Sequence, residues 1–599
     1  MQRRMLILST MFAAKATLTV FFALPAAAQP RLDFVATAPQ LGPAGYRDPL
    51  GVLSPSGEWL AYSIATHLYL RQIKGGAVRE LPPSPGMIRH LTWTSDSRSV
   101  VEDNGTSTDR WWIYDLEGGR RPLWEGRKSL EAGDVAAPID RIEQLAWSPD
   151  GSKVAGIVHG SRESQLWTAD SDGAHADVQR VPASLSFPAW SPKGGVACLS
   201  SSQERQIITF PCGKNPVPGV GAAYGPIAFS PDGGTLYYAA PNQAGAPNQG
   251  KTVDLWSVSI RGGQPRPVQH THFSRDTYAP SVARNGSVLF KLQNFQASIA
   301  ALGAEGGAVT PLTTLQSETP SWDPAGKNIG FTFGGWRRIL DDLHYPDIAQ
   351  DLGTIPANEK VPAKSPEQIV IASPSEDQGL CWSPNGKWIA FHSHKDNSDD
   401  IWIQPADKSA PPRLLTHFGR GRETSWPRWS PDGRWIVAAS YKAGESPFRH
   451  VLYLIGMDQE NGKITQEAAE IDLHGYSDGV ANAEWMPDSN GIVFLGVHPP
   501  DRQSLCRTVR IGGTPECFHT FRSEHRYAGL SVSPDGKSVV YIAPMDGYFQ
   551  LFRVPVAGGR AEQLTSDPSN KTQPSYSPDG RRIALTVWTY EVQFWVLNP

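Results

Sequence analysis

Short apolar runs rich in β-branched and aromatic residues recur along this chain, each bounded by polar turn residues. Lys387-Trp388-Ile389-Ala390-Phe391-His392 and Thr235-Leu236-Tyr237-Tyr238-Ala239-Ala240 are apolar on both faces of an extended strand. That pattern suits a strand sandwiched between neighbouring sheets better than one half exposed to water. The runs follow a repeated phrase, seen as Trp147-Ser148-Pro149-Asp150-Gly151, Trp190-Ser191-Pro192-Lys193-Gly194, Phe229-Ser230-Pro231-Asp232-Gly233, Trp382-Ser383-Pro384-Asn385-Gly386, Trp429-Ser430-Pro431-Asp432-Gly433, Val532-Ser533-Pro534-Asp535-Gly536 and Tyr576-Ser577-Pro578-Asp579-Gly580. Weaker copies start near Leu53, Trp93, Val282, Trp322 and Trp485.

The phrase predicts a hairpin. Its aromatic closes one strand, proline sets φ at the first turn position, Asp or Asn bonds local backbone, and glycine supplies positive φ, so the next strand leaves antiparallel. Many units then show a third strand, such as Asp400-Ile401-Trp402-Ile403, a Gly-Gly turn as at Gly558-Gly559, and a fourth strand ending like Gln563-Leu564-Thr565. Four short antiparallel strands make one propeller blade. About twelve copies at a spacing of about 47 residues predict an all-β chain of tandem β-propellers, divided into two six-bladed rings because single rings hold about 4 to 8 blades.

This repeat resembles the WD40-like "PD40" repeat of TolB-type propellers, which also builds the propeller halves of dipeptidyl peptidase IV and prolyl oligopeptidase relatives. The resemblance covers nearly all of the chain after its first residues. It implies a scaffold that binds a protein or peptide partner in the cell envelope. The chain departs from TolB in showing no separate α/β domain ahead of the blades and about twice the repeats.

Composition narrows the partner classes. Lys+Arg 55 against Asp+Glu 59 gives a net charge of -4. With no basic run, nucleic acid is not expected as a partner. Met1 to Ala28 reads as an export signal: Arg3 and Arg4 precede an apolar stretch that ends at Ala26-Ala27-Ala28. Lys15 interrupts that stretch, leaving no uninterrupted span of the ~20 residues a membrane helix needs. The expected location is periplasmic or secreted, with no transmembrane span once the signal is removed. Such a compartment permits disulfides. Cys506 and Cys517 flank a hairpin around Gly512-Gly513 and are candidates to pair, as are Cys198 and Cys212; Cys381, beside Trp382, reads as a core residue.

The period stretches most between Pro324 and Pro384, to about 60 residues. The division predicted from this is a signal at 1–28, a first propeller at 29–330, an insertion with a short helix at 331–365 and a second propeller at 366–599. Leu32 to Val35 reads as a strand that supplies an outer partner to close a ring, and Gln593-Phe594-Trp595-Val596-Leu597 reads as a third strand with no fourth after it.

Chemistry is sparser. Gly475-Tyr476-Ser477-Asp478-Gly479 matches the G-x-S-x-G nucleophile pattern, but a blade phrase follows it within a few residues, where a helix should stand. It reads as a loop between blades. The chain also ends on a blade, which leaves no room for a hydrolase domain, and no catalytic residue, metal site or cofactor is assigned. His270-Thr271-His272 with Asp276, and the stretch from His392 to Asp400, hold metal-ligand residue types but occupy ordinary blade positions.

The favoured binding residues lie just before the repeated phrases, where connecting loops gather around one mouth of a propeller channel. These are Glu318, Glu376, Asp377, Glu423, Trp426 and Asp478. Converging carboxylates there suit a cation, a basic peptide end or a polar polymer; alternatively each caps local backbone or pairs with Arg422 or Arg428. A second cluster, Trp336, Asp341, Asp342, His344, Tyr345 and Asp347, lies in the insertion, as a binding loop or as a linker helix packed between propellers. The functional expectation is a non-catalytic exported propeller that binds an envelope protein or peptide. The alternatives are a glycan-binding or glycan-cleaving propeller and an accessory to a separate peptidase or amidohydrolase.

Overall fold

The repeated phrase folds because its side chains satisfy its own backbone. Ser430 Oγ donates to Asp432 Oδ1 at 2.5 Å and accepts the Trp435 N–H at 2.9 Å, while Asp432 Oδ1 accepts the Arg434 N–H at 3.1 Å. The Gly433 N–H closes the turn on Ser430 O at 2.9 Å, with φ of 73°, a region where a Cβ is penalised. Ser148, Ser230, Ser533 and Ser577 repeat the serine–aspartate bond, and each also accepts the N–H five residues on.

The computed structural model describes residues 31–38 and 50–599, except 65, 87, 105–109, 133–134, 160–162, 203–204, 242–252, 263–264, 274, 335–349, 359–360, 374, 396–397, 419–421, 443–449, 474–478, 499–501, 510–512, 524–528 and 547. Apart from a two-stranded hairpin formed by Ser129–Ala132 and Val135–Pro138 and one parallel bridge between Gln350 and Glu376, the described strands pair antiparallel in sheets that arrange as two rings of six blades. The first ring takes five blades from 51–80, 90–122, 143–181, 184–209 and 224–269. The second takes five from 317–371, 376–414, 422–470, 479–522 and 530–563. Innermost strands of successive blades pack side by side all the way round each ring.

Two long strands, Val288–Gly303 and Arg582–Asn598, supply the sixth blade of both rings at once. They pair antiparallel from Val288 opposite Leu597 to Gly303 opposite Arg582 without a register shift. The first ring closes with Asp276–Val282, the start of the first long strand, the end of the second, and Arg31–Ala38 as the outer strand. The second ring closes with Asn570–Tyr576, the start of the second long strand, the end of the first, and Thr310–Pro311.

This crossing corrects the expected division. Blades 317–371 and 376–414 are neighbours joined in one sheet, so the described residues on either side of 335–349 belong to one blade of the second ring instead of separating two rings. The chain passes into the second ring near Phe295 and returns to the first near Tyr590, residues that face each other in the ladder. The expected N-terminal closing strand is present as Arg31–Ala38, and 592–597 is the third strand beside it. Both belong to the first ring. A spacing argument misses this because the long strands keep the repeat's local pattern while changing rings.

Packing explains why the rings hold together. One apolar cluster runs through the joint, joining Leu53, Leu60 and Tyr62 of the first ring to Ile542, Phe549 and Leu551 of the second through Val592, Tyr590 and Trp588. Within rings, the aromatic of the repeated phrase ties blade to blade: Trp93, Trp190, Trp322 and Trp485 donate their indole N–H to Val52 O, Ala146 O, Ser575 O and Arg428 O of the preceding blade at 3.0–3.1 Å. The tryptophans thus add directed bonds to buried bulk.

A second device recurs that the repeat does not announce. Innermost strands carry a bulge shortly before the phrase, with a left-handed residue at Gln144, Phe187, Ala279, Thr319, Gly379, Asn482 and Gln573. Bulge residues of adjacent blades touch. Gln144 Oε1 accepts the Phe187 N–H at 2.6 Å, and Gln573 Oε1 accepts the Thr319 N–H at 3.1 Å. Bulges re-aim side chains and are common beside functional sites.

Candidate functional site

Each innermost strand runs toward its phrase, so its first residues lie at the opposite, mouth side of the ring, together with the end of the second strand and the start of the third. Glu318 opens Ser317–Trp322 at this side and is buried. It accepts a hydrogen bond from Gln350 Nε2 at 3.0 Å. Gln350 Oε1 accepts in turn from Gln378 Nε2, which also donates to Glu376 Oε1 at 2.6 Å. A chain of amides therefore joins Glu318 on one blade to Glu376 on the next.

Gln350 is also where the candidate insertion re-enters the described fold. Its ladder partner is Gly334, the last described residue before 335–349, so the two described residues that flank 335–349 stand side by side near Glu318. Trp336, Asp341, Asp342, His344, Tyr345 and Asp347, and the expected helix, lie outside the described residues. So do Ser477 and Asp478. Glu423 is placed by its backbone in Arg422–Trp429, opposite Tyr441, and its side chain is outside the described set.

Asp377 is 1% exposed and accepts from Ser373 Oγ at 2.7 Å. Burial pushes its carboxyl up to about 6, with Asp351 and Glu376 adding to the rise and hydrogen bonds from Ser393 and Ser373 opposing it. Trp426 lies against the backbone of Gly379, where an added Cβ would stand 2.2 Å from its Cδ1. The structure thus brings Glu318, Glu376, Asp377 and Trp426 to neighbouring strands of the second ring's mouth.

The histidine-rich stretch is part of the blade's frame. Asp400 Oδ1 accepts from Thr416 Oγ1 at 2.7 Å and from the Phe418 N–H at 2.9 Å, and Thr416 Oγ1 accepts the Ile401 N–H at 2.9 Å. Asp254 with Thr271 and Gln550 with Thr565 repeat this staple. His394 pairs with Asp399 at 2.5 Å. His270 bonds Ser257 Oγ at 2.8 Å, and Asp276 accepts the Val253 N–H at 2.7 Å. Among the described residues, no group of three or more His, Cys, Asp or Glu is arranged to hold a metal ion.

The cysteines pair as 198–212 and 506–517, the latter directly across a ladder. Cys381 is free and buried, its Sγ accepting the Trp429 N–H at 3.4 Å; burial pushes its thiol up to about 11. It is a packing residue.

The first ring holds a charged cluster that the sequence reading passed over. Arg110, 7% exposed, grips Asp103 with two bonds of 2.7 and 2.6 Å, reaches Asp140 O at 2.7 Å and pairs with Glu143 at 3.2 Å. His159 lies 3.8 Å from Glu143. Half-buried His90 bonds Leu145 O at 2.9 Å, and desolvation pushes the imidazole down toward the neutral form. Glu143 stands at the same offset before Trp147 as Glu318 before Trp322, a signal available in the repeat alignment.

No family model matches the chain. The uncharacterized protein Atu1656 of Agrobacterium fabrum is 27% identical over 227 residues, covering 38% of this chain and 70% of that one. The uncharacterized peptidase YuxL of Bacillus subtilis is 34% identical over 80 residues, 13% of this chain and 12% of its own length. Similar solved structures include a putative TolB from Agrobacterium tumefaciens, with TM-score 0.36 and 18% identity over 49% of this chain and 99% of that one. TolB from Acinetobacter baumannii gives 0.35 and 13% over 57% and 83%. The tricorn protease gives 0.29 and 12% over 88% and 62%.

Proposed function

We propose that this chain is an exported, non-catalytic double propeller that captures a protein or peptide partner at the acidic mouth of its second ring. The observation that carries the reading is the amide chain from Glu318 through Gln350 and Gln378 to Glu376, which holds carboxylates of adjacent blades together next to Gly334, on the strand whose Gly379 lies against Trp426. Carboxylates fixed by amide donors offer preorganised negative charge for an ammonium or guanidinium group, and a nearby indole adds apolar and cation–π contact. Glu318 and Asp377 are buried and engaged within the blades, where they hold the frame, and half-buried Glu376 is the carboxylate of the set that reaches the surface. Export is supported by the pattern of residues 1–28 and by two disulfides. Among the described residues, no helix is long and apolar enough to cross a membrane.

The test is anisotropy of a labelled Lys-rich peptide and a Glu-rich peptide against the full chain. The Lys-rich peptide binds, weakens with salt, and binds at least about tenfold more weakly to Glu376→Gln, a loss of about 1.4 kcal/mol. Equal binding of both peptides, or none, contradicts the proposal. A second reading, a scaffold serving a separate peptidase, is favoured by the short likeness to YuxL. It predicts co-purification of a hydrolase when the chain is isolated from its own envelope extract.

A further inference from the structure

The two disulfides differ in what reaches them. Cys198 and Cys212 are both buried, inside an apolar cluster with Ile157, Leu185 and Val196. In the second pair, Cys506 lies fully buried on Arg502–Val509, among Val437, Trp485 and Phe494. Cys517, directly opposite it on the outer strand Glu516–Arg522, is exposed. Thiol–disulfide exchange begins with a thiolate reaching one sulfur of the bond, so access decides which disulfide reacts. The second pair offers that access at Cys517, and the first pair offers it at neither end.

The strand that carries Cys517 also supports the next blade. Phe518 and Phe521 are half-buried against the apolar cluster shared by blades 479–522 and 530–563. His519 Nε2 and Tyr541 Oη of the next blade are hydrogen-bonded at 2.7 Å, and the Phe521 and Tyr541 ring centres lie 4.7 Å apart. Ladder pairing with Arg502–Val509, the Arg507–Glu516 ion pair and the Ser504–Thr520 hydroxyl contact at 2.9 Å do not depend on the disulfide. Opening the bond therefore loosens this strand without removing it.

We propose that Cys506–Cys517 is a site of thiol–disulfide exchange with an external dithiol, and that its redox state sets how firmly Glu516–Arg522 holds the next blade. A thiolate of the dithiol attacks Cys517 Sγ. The Cys506–Cys517 bond breaks, and its electron pair leaves on Cys506 Sγ, which takes up a proton. The second thiolate of the dithiol then attacks its own sulfur in the mixed disulfide and releases Cys517, which is protonated in turn. The protein gains two thiols, the dithiol becomes a disulfide, and two electrons have passed. A disulfide reagent of the same class runs the sequence backward. The exchange does not depend on the acidic mouth, whose Glu318, Glu376 and Trp426 lie on other blades.

The test titrates the native full chain with dithiothreitol, quenches it in acid, labels the thiols after denaturation and maps them by peptide. Cys506 and Cys517 should be freed at a dithiol concentration at least about tenfold below that needed for Cys198 and Cys212, with the far-ultraviolet spectrum unchanged. At that concentration, backbone hydrogen exchange should quicken at 516–522 and stay the same in the first ring. The double variant Cys506→Ser with Cys517→Ser should show the quickened exchange with or without dithiol. Both disulfides opening together, or opening only as the fold is lost, overturns the proposal. Selective opening with unchanged exchange at 516–522 overturns it as well, and so does a dithiol that still quickens exchange there in the double variant.

Discussion

The Thr319 N–H donates to Gln573 Oε1 across 3.1 Å, between residues 254 positions apart, and this bond helps close the second ring. Both residues sit at strand bulges with φ near 53°, and Thr586 Oγ1 joins them by donating to Gln573 Oε1 at 3.1 Å and accepting the Thr319 N–H at 3.1 Å. Gln573→Ala keeps the backbone conformation but removes the acceptor. It should destabilise the protein by about 1–3 kcal/mol, read as a lower urea midpoint with unchanged slope. An unchanged midpoint would show that the bulges do not bear on closure.

Gly379→Ala tests the platform under Trp426. The added methyl would stand 2.2 Å from Trp426 Cδ1 at a φ of 68°, so both sterics and backbone oppose it. The expected outcome is a loss of about 1–3 kcal/mol together with a changed near-ultraviolet tryptophan signal and weaker capture of the Lys-rich peptide. Retained peptide binding with a displaced indole would remove Trp426 from the site.

Glu102 makes stability depend on pH. Burial raises its carboxyl to about 7, against hydrogen bonds from Ser84 and Tyr114 and the charge of Arg120, with Asp103 adding to the rise. Its protonated form is the one the fold favours, so its contribution is fully present below about pH 4.5 and is lost as pH rises through about 7. The difference is on the order of 3 kcal/mol. Glu102→Gln should flatten the slope of unfolding free energy between those limits and be the more stable protein at pH 8. A slope identical to the parent's would contradict the assignment.

Thiol counting tests the cysteine pairing. Of five cysteines, only Cys381 is unpaired, and it is buried. Alkylation without reductant should label essentially nothing in the native protein and only Cys381 after denaturation. Reduction should expose the rest. Labelling of Cys506 or Cys198 without reductant would contradict the pairing.

Much of the fold was legible because each blade writes its own turn. Ser430, Asp432 and Gly433 are required by local hydrogen bonds and local φ, so their recurrence counts blades wherever it appears. Ring membership was not legible, since Val288–Gly303 and Arg582–Asn598 look like ordinary second and third strands while each serves two rings. Of the site, Glu318, Glu376, Asp377 and Trp426 could be found by their offset from the repeated phrase, as could Glu143. Gln350 could not. Its role comes from pairing with Gly334 across a fifteen-residue separation that no period predicts. Arg110 was hidden for a similar reason: its carboxylate partners come from two different blades.

The most direct test of the crossed closure uses cysteines at Ser287 and Asn598, whose side chains are bonded at 2.9 Å although 311 positions apart. Oxidised protein carrying Ser287→Cys and Asn598→Cys should yield a single crosslinked peptide joining these two positions, with the peptide-binding behaviour of the parent. Free thiols at both positions under the same oxidant, or crosslinks only between separate molecules, would place the chain's end outside the first ring and contradict the account.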